Sequence, residues 1–247
     1  MNPERGSLSV PALFLFLFML QATGIRLEQK DKRILDGIDL AIGRGEIVCL
    51  TGPNGSGKTS LLKSLLGLYP RQPGHVTFNG IDLKGTGRHN ALREIGAFLP
   101  PPALYPFLSG VDHLRIVQHY FGKTRLSADN VLRLFRLEEV QHDKVKTYSL
   151  GMQQRLSLAM AFLNQPAFLL LDEPFNAVDR NNTTLILELI RFLNETYDTS
   201  FLLTSHSLED VEKIHTRFLV LNHGQLLLDQ PASPGTSVSD LYARLVR

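Results

Sequence analysis

One short stretch in the first quarter of the chain carries residue types and a spacing that bind phosphate. It runs from position 52 to 59 and reads Gly-Pro-Asn-Gly-Ser-Gly-Lys-Thr, a P-loop pattern. Its glycines let the backbone approach phosphate oxygens closely. Lys58 would reach the β- and γ-phosphates of a nucleotide, and the Thr59 hydroxyl would help to hold Mg²⁺. The predicted nucleotide-binding residues are Gly52, Pro53, Asn54, Gly55, Ser56, Gly57, Lys58, Thr59 and Ser60.

Three further candidates follow apolar runs later in the chain. Asp172 and Glu173 end the run at 167–171, and His206 follows the run at 199–204. Such runs are typical of buried parallel strands, whose carboxyl ends carry the ligand sites of α/β sheets. Asp172 would hold Mg²⁺, Glu173 would polarise the attacking water, and His206 would contact the γ-phosphate. The alternative for the acidic pair is that both carboxylates are only solvated at the strand end, and the alternative for His206 is a structural role.

The elements around the P-loop fit phosphate binding. Residues 46–50 form an apolar run typical of a buried strand, and residues 60–66 carry leucines at helical spacing before Gly67. A strand, a glycine-rich loop and a helix together present backbone N–H groups and a helix dipole to phosphate. The alternative is an ordinary glycine-rich turn before a helix. Cys49 lies within the apolar run, which favours a buried side chain over a reactive thiol.

Periodicity along the rest of the chain predicts an α/β fold. It combines a mixed central sheet, an antiparallel β portion and an inserted helical subdomain at approximately 100–160. Two or three antiparallel strands are expected between 20 and 50, broken at Asp36-Gly37 and at 43–45. Further strands are expected at 76–80, 93–99, 167–172 and 199–204, with a hairpin of 217–221 and 225–228. Helices are expected at 109–121, 127–137, 181–194, 207–214 and 237–247.

The composition indicates which partners and which redox compartment to expect. The 247 residues are 43% hydrophobic and 20% charged, as in an ordinary globular domain. The net charge of +2 gives no reason to expect nucleic acid as a partner. A single cysteine excludes an internal disulfide and fits a reducing compartment.

The N-terminal segment has three possible interpretations. Arg5 precedes an apolar run at 11–20 that is about half as long as a membrane-spanning helix. This arrangement resembles a secretory signal, but it also fits a membrane-leaning anchor or an extension ahead of a true start at Met19. We favour the extension, because residues 19–27 already have the pattern of a strand. Residues 1–18 are therefore assigned to an extension and 19–247 to one domain.

A third motif connects these residues to a known family. Positions 148–155 read Tyr-Ser-Leu-Gly-Met-Gln-Gln-Arg. With the P-loop and the acidic pair, this stretch resembles the nucleotide-binding domain of an ABC transporter, in which a similar signature motif precedes the acidic strand. The resemblance implies that Ser149 and Gly151 face a γ-phosphate held by a second subunit. Positions 176–179 are similar to the family's D-loop, which places Asp179 at the same interface, and His206 matches its switch histidine. An ordinary N-capped helix is the alternative for the signature stretch.

The resemblance also implies an activity and partners. A P-loop NTPase of this kind binds ATP and Mg²⁺ and hydrolyses ATP between two nucleotide-binding domains, as a homodimer or with a close relative. It powers a separate integral membrane permease from the cytoplasmic face of the membrane. The signature and the stretch at 102–106 look most like exporters of drugs and antimicrobial peptides. Residues 95–99 and 103–106 resemble the loop that couples nucleotide to the permease.

The sequence departs from the family pattern at two points. Pro100 stands where a glutamine or glutamate is usual, and residues 27–32 lack the usual aromatic that stacks on adenine. Hydrolysis is still expected, because Lys58, the acidic pair and His206 are all present.

Two other function classes are the alternatives. A soluble ABC ATPase that remodels a macromolecular complex usually carries two such domains or a long coiled coil. A GTPase or small-molecule kinase would need a guanine-reading Asn-Lys-x-Asp motif or an acceptor site. The chain shows neither set of features.

Overall fold

The computed structural model describes residues 18–30, 32–101, 103–176, 178–232 and 237–245. The predicted extension, apart from Phe18, lies outside these ranges. So do Ala177 of the predicted D-loop and the last two residues of the predicted closing helix.

The strands form two sheets. The antiparallel sheet consists of β1 (Phe18–Gln29), β2 (Lys32–Gly43), β4 (His75–Phe78) and β5 (Ile81–Asp82), in the order β2-β1-β4-β5. The central sheet consists of β3 (Ile47–Thr51), β6 (Ile95–Phe98), β7 (Phe168–Leu171), β8 (Ser200–Thr204), β9 (Arg217–Asn222) and β10 (Gln225–Pro231). Its order is β10-β9-β3-β8-β7-β6, parallel except for the β9–β10 hairpin. The predicted mixed sheet and antiparallel portion are confirmed.

The helices lie between strands along the chain, as parallel connections require, except α8, which follows the last described strand. They are α1 (Lys58–Leu65), α2 (Arg88–Arg93), α3 (Gly110–Phe121), α4 (Ala128–Leu134), α5 (Leu150–Phe162), α6 (Arg180–Tyr197), α7 (Leu208–Glu212) and α8 (Val238–Leu245). The predicted serine N-caps are present: Ser109 Oγ accepts from the Asp112 N–H at 3.2 Å, and Ser127 Oγ accepts from the Asn130 N–H at 3.2 Å. No helix within the described residues is both long and apolar enough to cross a membrane.

The predicted strand break at Asp36-Gly37 is wrong. Strand β2 continues through both residues, and Gly37 is the extra residue of a β-bulge between the pairs Ile25–Ile38 and Arg26–Asp36. Its φ of +70° is the left-handed conformation that glycine adopts without strain. A turn residue pair within an alternating pattern therefore bends the strand instead of ending it. The strand predicted from 93 begins at Ile95, because Arg93 closes α2.

The central sheet buries both of its faces. Along β7, Phe168 and Leu170 pack into the core shared with α1 and the antiparallel sheet, whereas Leu169 and Leu171 pack against α5 and α6. The same alternation occurs in β3, β8 and β9. Two covered faces explain the continuous apolar runs. Because β3, β8 and β7 pair in parallel, their carboxyl ends lie at one edge of the sheet. Cys49 is fully buried in β3, and burial raises the pKa of its thiol, so it is a packing residue.

Candidate nucleotide-binding site

The P-loop joins the carboxyl end of β3 to the first residue of α1. At Gly52 (φ +159°) a Cβ atom would overlap the carbonyl oxygen of Leu221 on β9, so only glycine fits. The loop is held by backbone bonds from the Ser56 N–H to the Pro53 oxygen and from the Gly224 N–H to the Ser56 oxygen. The first N–H groups of α1 have no carbonyl one turn earlier to bind, so they remain as donors for an anion.

The loop curls around the ammonium group of Lys58. Its Nζ donates to the Gly52 oxygen at 2.8 Å and to the Pro53 oxygen at 3.2 Å. Burial lowers the pKa of Lys58, while the carboxylates of Glu173 and Asp172 act in the opposite direction. The lysine is therefore close to both acids.

A buried hydroxyl in the loop fits a phosphate ligand. Ser56 Oγ is buried and has no hydrogen-bond partner among the described residues. Such groups usually have a partner in a finished site, and a phosphate oxygen would supply it.

The two predicted Mg²⁺ ligands touch each other. Thr59 Oγ1 donates to Asp172 Oδ2 at 2.7 Å, although the residues are far apart in sequence. The other carboxylate oxygen of Asp172 accepts from Thr204 Oγ1 at 2.8 Å, which also accepts from the Glu173 N–H at 2.8 Å. A hydroxyl and a carboxylate are hard oxygen donors, the kind that Mg²⁺ takes alongside nucleotide phosphates.

The two predicted catalytic residues, Glu173 and His206, lie next to each other. Nε2 of His206 lies 2.9 Å from Oε1 of Glu173, whose side chain is 16% exposed. Burial raises the pKa of Glu173, and His206 and Lys58 partly oppose that shift. The backbone of Glu173 has φ +51°, a conformation that costs a non-glycine residue about 1–3 kcal/mol and is concentrated at functional sites. We call residues 52–59 with Asp172, Glu173 and His206 the phosphate site.

Ser60 follows Thr59 on α1. The other predicted residues form a second group, which we call the signature cluster: Ser149, Gly151 and Asp179. Ser149 is exposed and caps α5, its Oγ accepting from the Met152 N–H at 3.3 Å. Asp179 caps α6 by accepting from the N–H and Nδ2 of Asn182 at 2.9 and 2.7 Å. A Cβ at Gly151 would lie 2.6 Å from Cγ of Asn182, so α5 and the start of α6 are in close contact.

The two groups are separate within one chain. None of the hydrogen bonds or ion pairs among the described residues joins the signature cluster to residues 52–59. Helix α5, which begins after Ser149, is instead bonded to the D-loop at 176–179, because Gln154 Nε2 donates to the Asn176 oxygen at 2.8 Å.

Sequence reasoning missed two residues that organise these groups. Thr204 links Asp172 to Glu173, and its place at the end of β8 beside His206 was the available signal. Asn182 links Gly151 to Asp179, but a polar residue in the first turn of a helix gives no sign of such a contact.

The region that lacks an adenine-stacking aromatic receives a ring from elsewhere. Tyr69, which follows α1, lines the same cleft of about 790 Å³ as Gln29 and Arg33. A stretch of turn residues had given no indication of this placement.

Comparison with known proteins agrees with this geometry. The family model described as "ABC transporter" matches residues 35–176. The chain is 36% identical over 212 residues to the ABC transporter ATP-binding protein YdbJ of Bacillus subtilis (strain 168), covering 84% of this chain and 68% of that one. It is 33% identical over 231 residues to the linearmycin resistance ATP-binding protein LnrL of the same organism, covering 92% and 72%.

A solved structure described as the ATP-binding subunit of an ABC transporter superposes with a TM-score of 0.82. It is 26% identical and covers 93% of this chain and all of its own. The chain therefore belongs to the ABC transporter family, as an ATP-binding subunit that hydrolyses ATP to drive transport.

Proposed function

We propose that two copies of this chain, or one copy and a close relative, close on two ATP·Mg²⁺ and thereby drive an exporter. In each site the phosphate site of one protomer faces the signature cluster of the other. The permease is a separate polypeptide, and the subunit lies on the cytoplasmic face of the membrane.

The observation that carries the proposal is the separation of the two groups. The phosphate site holds the Thr59 hydroxyl on the Asp172 carboxylate, with the ammonium group of Lys58 enclosed by the loop, while Ser149 lies exposed at the start of a helix. The Ser149 oxygen accepts from the Met152 N–H, which leaves its O–H to donate to an anion at the helix N-terminus. The P-loop of the same chain is not hydrogen-bonded to it. A second protomer would supply the missing phosphate.

Residue roles in hydrolysis follow from the same contacts. Lys58 and the N–H groups of α1 would bind the β- and γ-phosphates and stabilise the charge that develops on them. Thr59 and Asp172 would hold Mg²⁺, which neutralises phosphate charge when bound. Glu173 would accept the proton of the attacking water, and its raised pKa makes it a better base. His206, beside it, would orient that water and the γ-phosphate.

The permease would dock beside β6 and α5. Phe98, Leu104 and Met160 line a groove of about 300 Å³ there. Tyr105, which follows Leu104, and Phe107 are 61% and 73% exposed. Exposed aromatic side chains of this size are typical of protein interfaces. Export of an antimicrobial compound is supported by the similarity to a linearmycin resistance protein.

The test is the variant Glu173→Gln. We expect it to bind ATP with unchanged affinity, to lose at least about 100-fold in hydrolysis, and to form a stable dimer with Mg-ATP. Light scattering coupled to size exclusion measures the dimer. The matched control is Glu195→Gln on the exposed side of α6, which should behave like the parent chain. A Glu173→Gln chain that stays monomeric at saturating ATP, alone and with related subunits, contradicts the proposal.

A further inference from the structure

A buried histidine outside the nucleotide site holds the exposed aromatic turn in place. His113, on α3, is 1% exposed. Its Nε2 accepts a hydrogen bond from the Tyr105 N–H at 2.8 Å, and its Nδ1 lies 2.7 Å from the Ser109 oxygen. Because a backbone N–H can only donate, Nε2 must be unprotonated, and Nδ1 then donates to the carbonyl. The two partners thus fix one neutral tautomer.

The turn at 105–108 is bound on its other side to the segment before the signature cluster. The Leu108 N–H donates to the Tyr105 oxygen at 3.1 Å and closes the turn. The Lys146 N–H donates to the Pro106 oxygen and the Val145 N–H to the Leu108 oxygen, both at 2.9 Å. The turn is therefore held between α3 and residues 145–146.

Hydrogen bonds continue this path from residues 145–146 to Ser149. The Tyr148 N–H donates to the Val145 oxygen at 2.9 Å, and the Tyr148 oxygen accepts from Gln153 Nε2 at 3.2 Å. Tyr148 is itself anchored, since its hydroxyl donates to the Val140 oxygen at 2.6 Å. Ser149, the next residue, caps α5.

We propose that His113 is a positioning residue that couples the exposed Tyr105–Phe107 tip to Ser149. Pressure on the two rings by a membrane partner is passed through the turn to residues 145–148 and moves the signature helix tip. Without the hydrogen bond that the Tyr105 N–H donates to His113, the tip moves independently of α3. Contact with the membrane partner then no longer moves the signature helix tip at the nucleotide. This inference rests on the proposed docking of a permease beside Tyr105.

Two variants separate hydrogen bonding from shape. His113→Phe keeps a ring in the cavity and loses both bonds, whereas His113→Gln loses the ring and keeps an acceptor at the ε position. The matched control is His119→Phe, at an exposed position of the same helix. If His113 acts through its bond to Tyr105, the glutamine variant should resemble the parent chain more closely in both measurements below. If it acts only by filling space, the phenylalanine variant should.

The first measurement is hydrogen exchange of the Tyr105 amide in the free chain. We expect exchange to be about tenfold faster in His113→Phe, because the Tyr105 N–H loses its hydrogen-bond acceptor. It should stay close to the parent rate in His113→Gln and His119→Phe. Equal protection of the Tyr105 amide in His113→Phe and the parent overturns the inference.

The second measurement is ATPase stimulation in the membrane complex, isolated through a tag on this chain and compared with the free chain. His113→Phe should lower the stimulation at least about fivefold, with the KM for ATP and the free-chain rate unchanged. His113→Gln should retain it. Stimulation that survives in His113→Phe overturns the inference and leaves the proposed function standing. A parent chain that brings down no partner, or is not stimulated by one, overturns both.

Discussion

The phosphate site and the signature cluster differ in how complete they are within one chain. In the phosphate site, side chains from α1, from the end of β8 and from the residue that follows β7 contact one another, and Asp172 is almost fully buried. In the signature cluster, Ser149 and Asp179 are exposed, and their side chains cap their own helices. If the signature cluster acts on a second protomer, as proposed, this difference is expected: a residue that acts within its own chain contacts its partner there, whereas one that acts on another chain shows only the contacts that hold it in place.

The largest expected effect is at the centre of the phosphate site. Lys58→Ala removes the cation that the loop encloses, and hydrolysis should fall about 10²–10³-fold, as when one donor to a developing negative charge is lost. Weaker ATP binding should accompany it, measured by titration of a fluorescent nucleotide analogue. The matched control is Lys63→Ala, on the last turn of the same helix, where both quantities should be nearly unchanged. A Lys58→Ala chain that hydrolyses ATP at the parent rate would contradict the description of the phosphate site as the region that is complete within one chain.

Gly151→Ala should separate the regions most clearly. The new Cβ would lie 2.6 Å from Cγ of Asn182, so the tip of α5 must shift. We expect hydrolysis to fall about 10–10²-fold, because displacing a catalytic contact by about 1 Å has that cost. Binding of ATP to the monomer should not change, since the P-loop is untouched.

A double variant tests that explanation. Asn182→Ala removes the atoms that the new methyl group would meet, so Gly151→Ala in that background should cost much less. If the double variant is as inactive as Gly151→Ala alone, the overlap with Asn182 is not the cause.

The sequence predicted the phosphate site better than the contacts that support it. Motif spacing located Lys58, Thr59 and the acidic pair because each belongs to a short local pattern next to a strand or helix end. Thr204 was missed because its partners lie 32 and 31 positions away, and no local pattern records a cross-strand contact. For the fold, apolar runs gave the strands correctly, while Gly37 was misjudged because a bulge and a turn share the same residue types.

The contact between Glu173 and His206 predicts a smaller, pH-dependent effect. Burial raises the pKa of Glu173, and a positive charge on His206 works against that rise. In His206→Ala the opposition is gone, so the pKa should rise further. A general base must be deprotonated, so the acidic limb of the rate–pH profile should move to higher pH. His223→Ala, in the β9–β10 turn, is the control. An unmoved limb in His206→Ala would mean that the histidine does not act on the carboxylate.

The smallest effect is expected in the signature cluster, at the exposed residue Asp179. Asp179→Ala removes the cap of α6, which should lower the free energy of unfolding. Asp179→Asn keeps an oxygen at the same position and should recover most of that stability in chemical denaturation. If Asp179 also contacts a second protomer, both variants should weaken the ATP-bound dimer of the Glu173→Gln chain, because both remove the charge. Equal dimer stability in all three chains would reduce Asp179 to a cap and confine the interface role to Ser149 and Gly151.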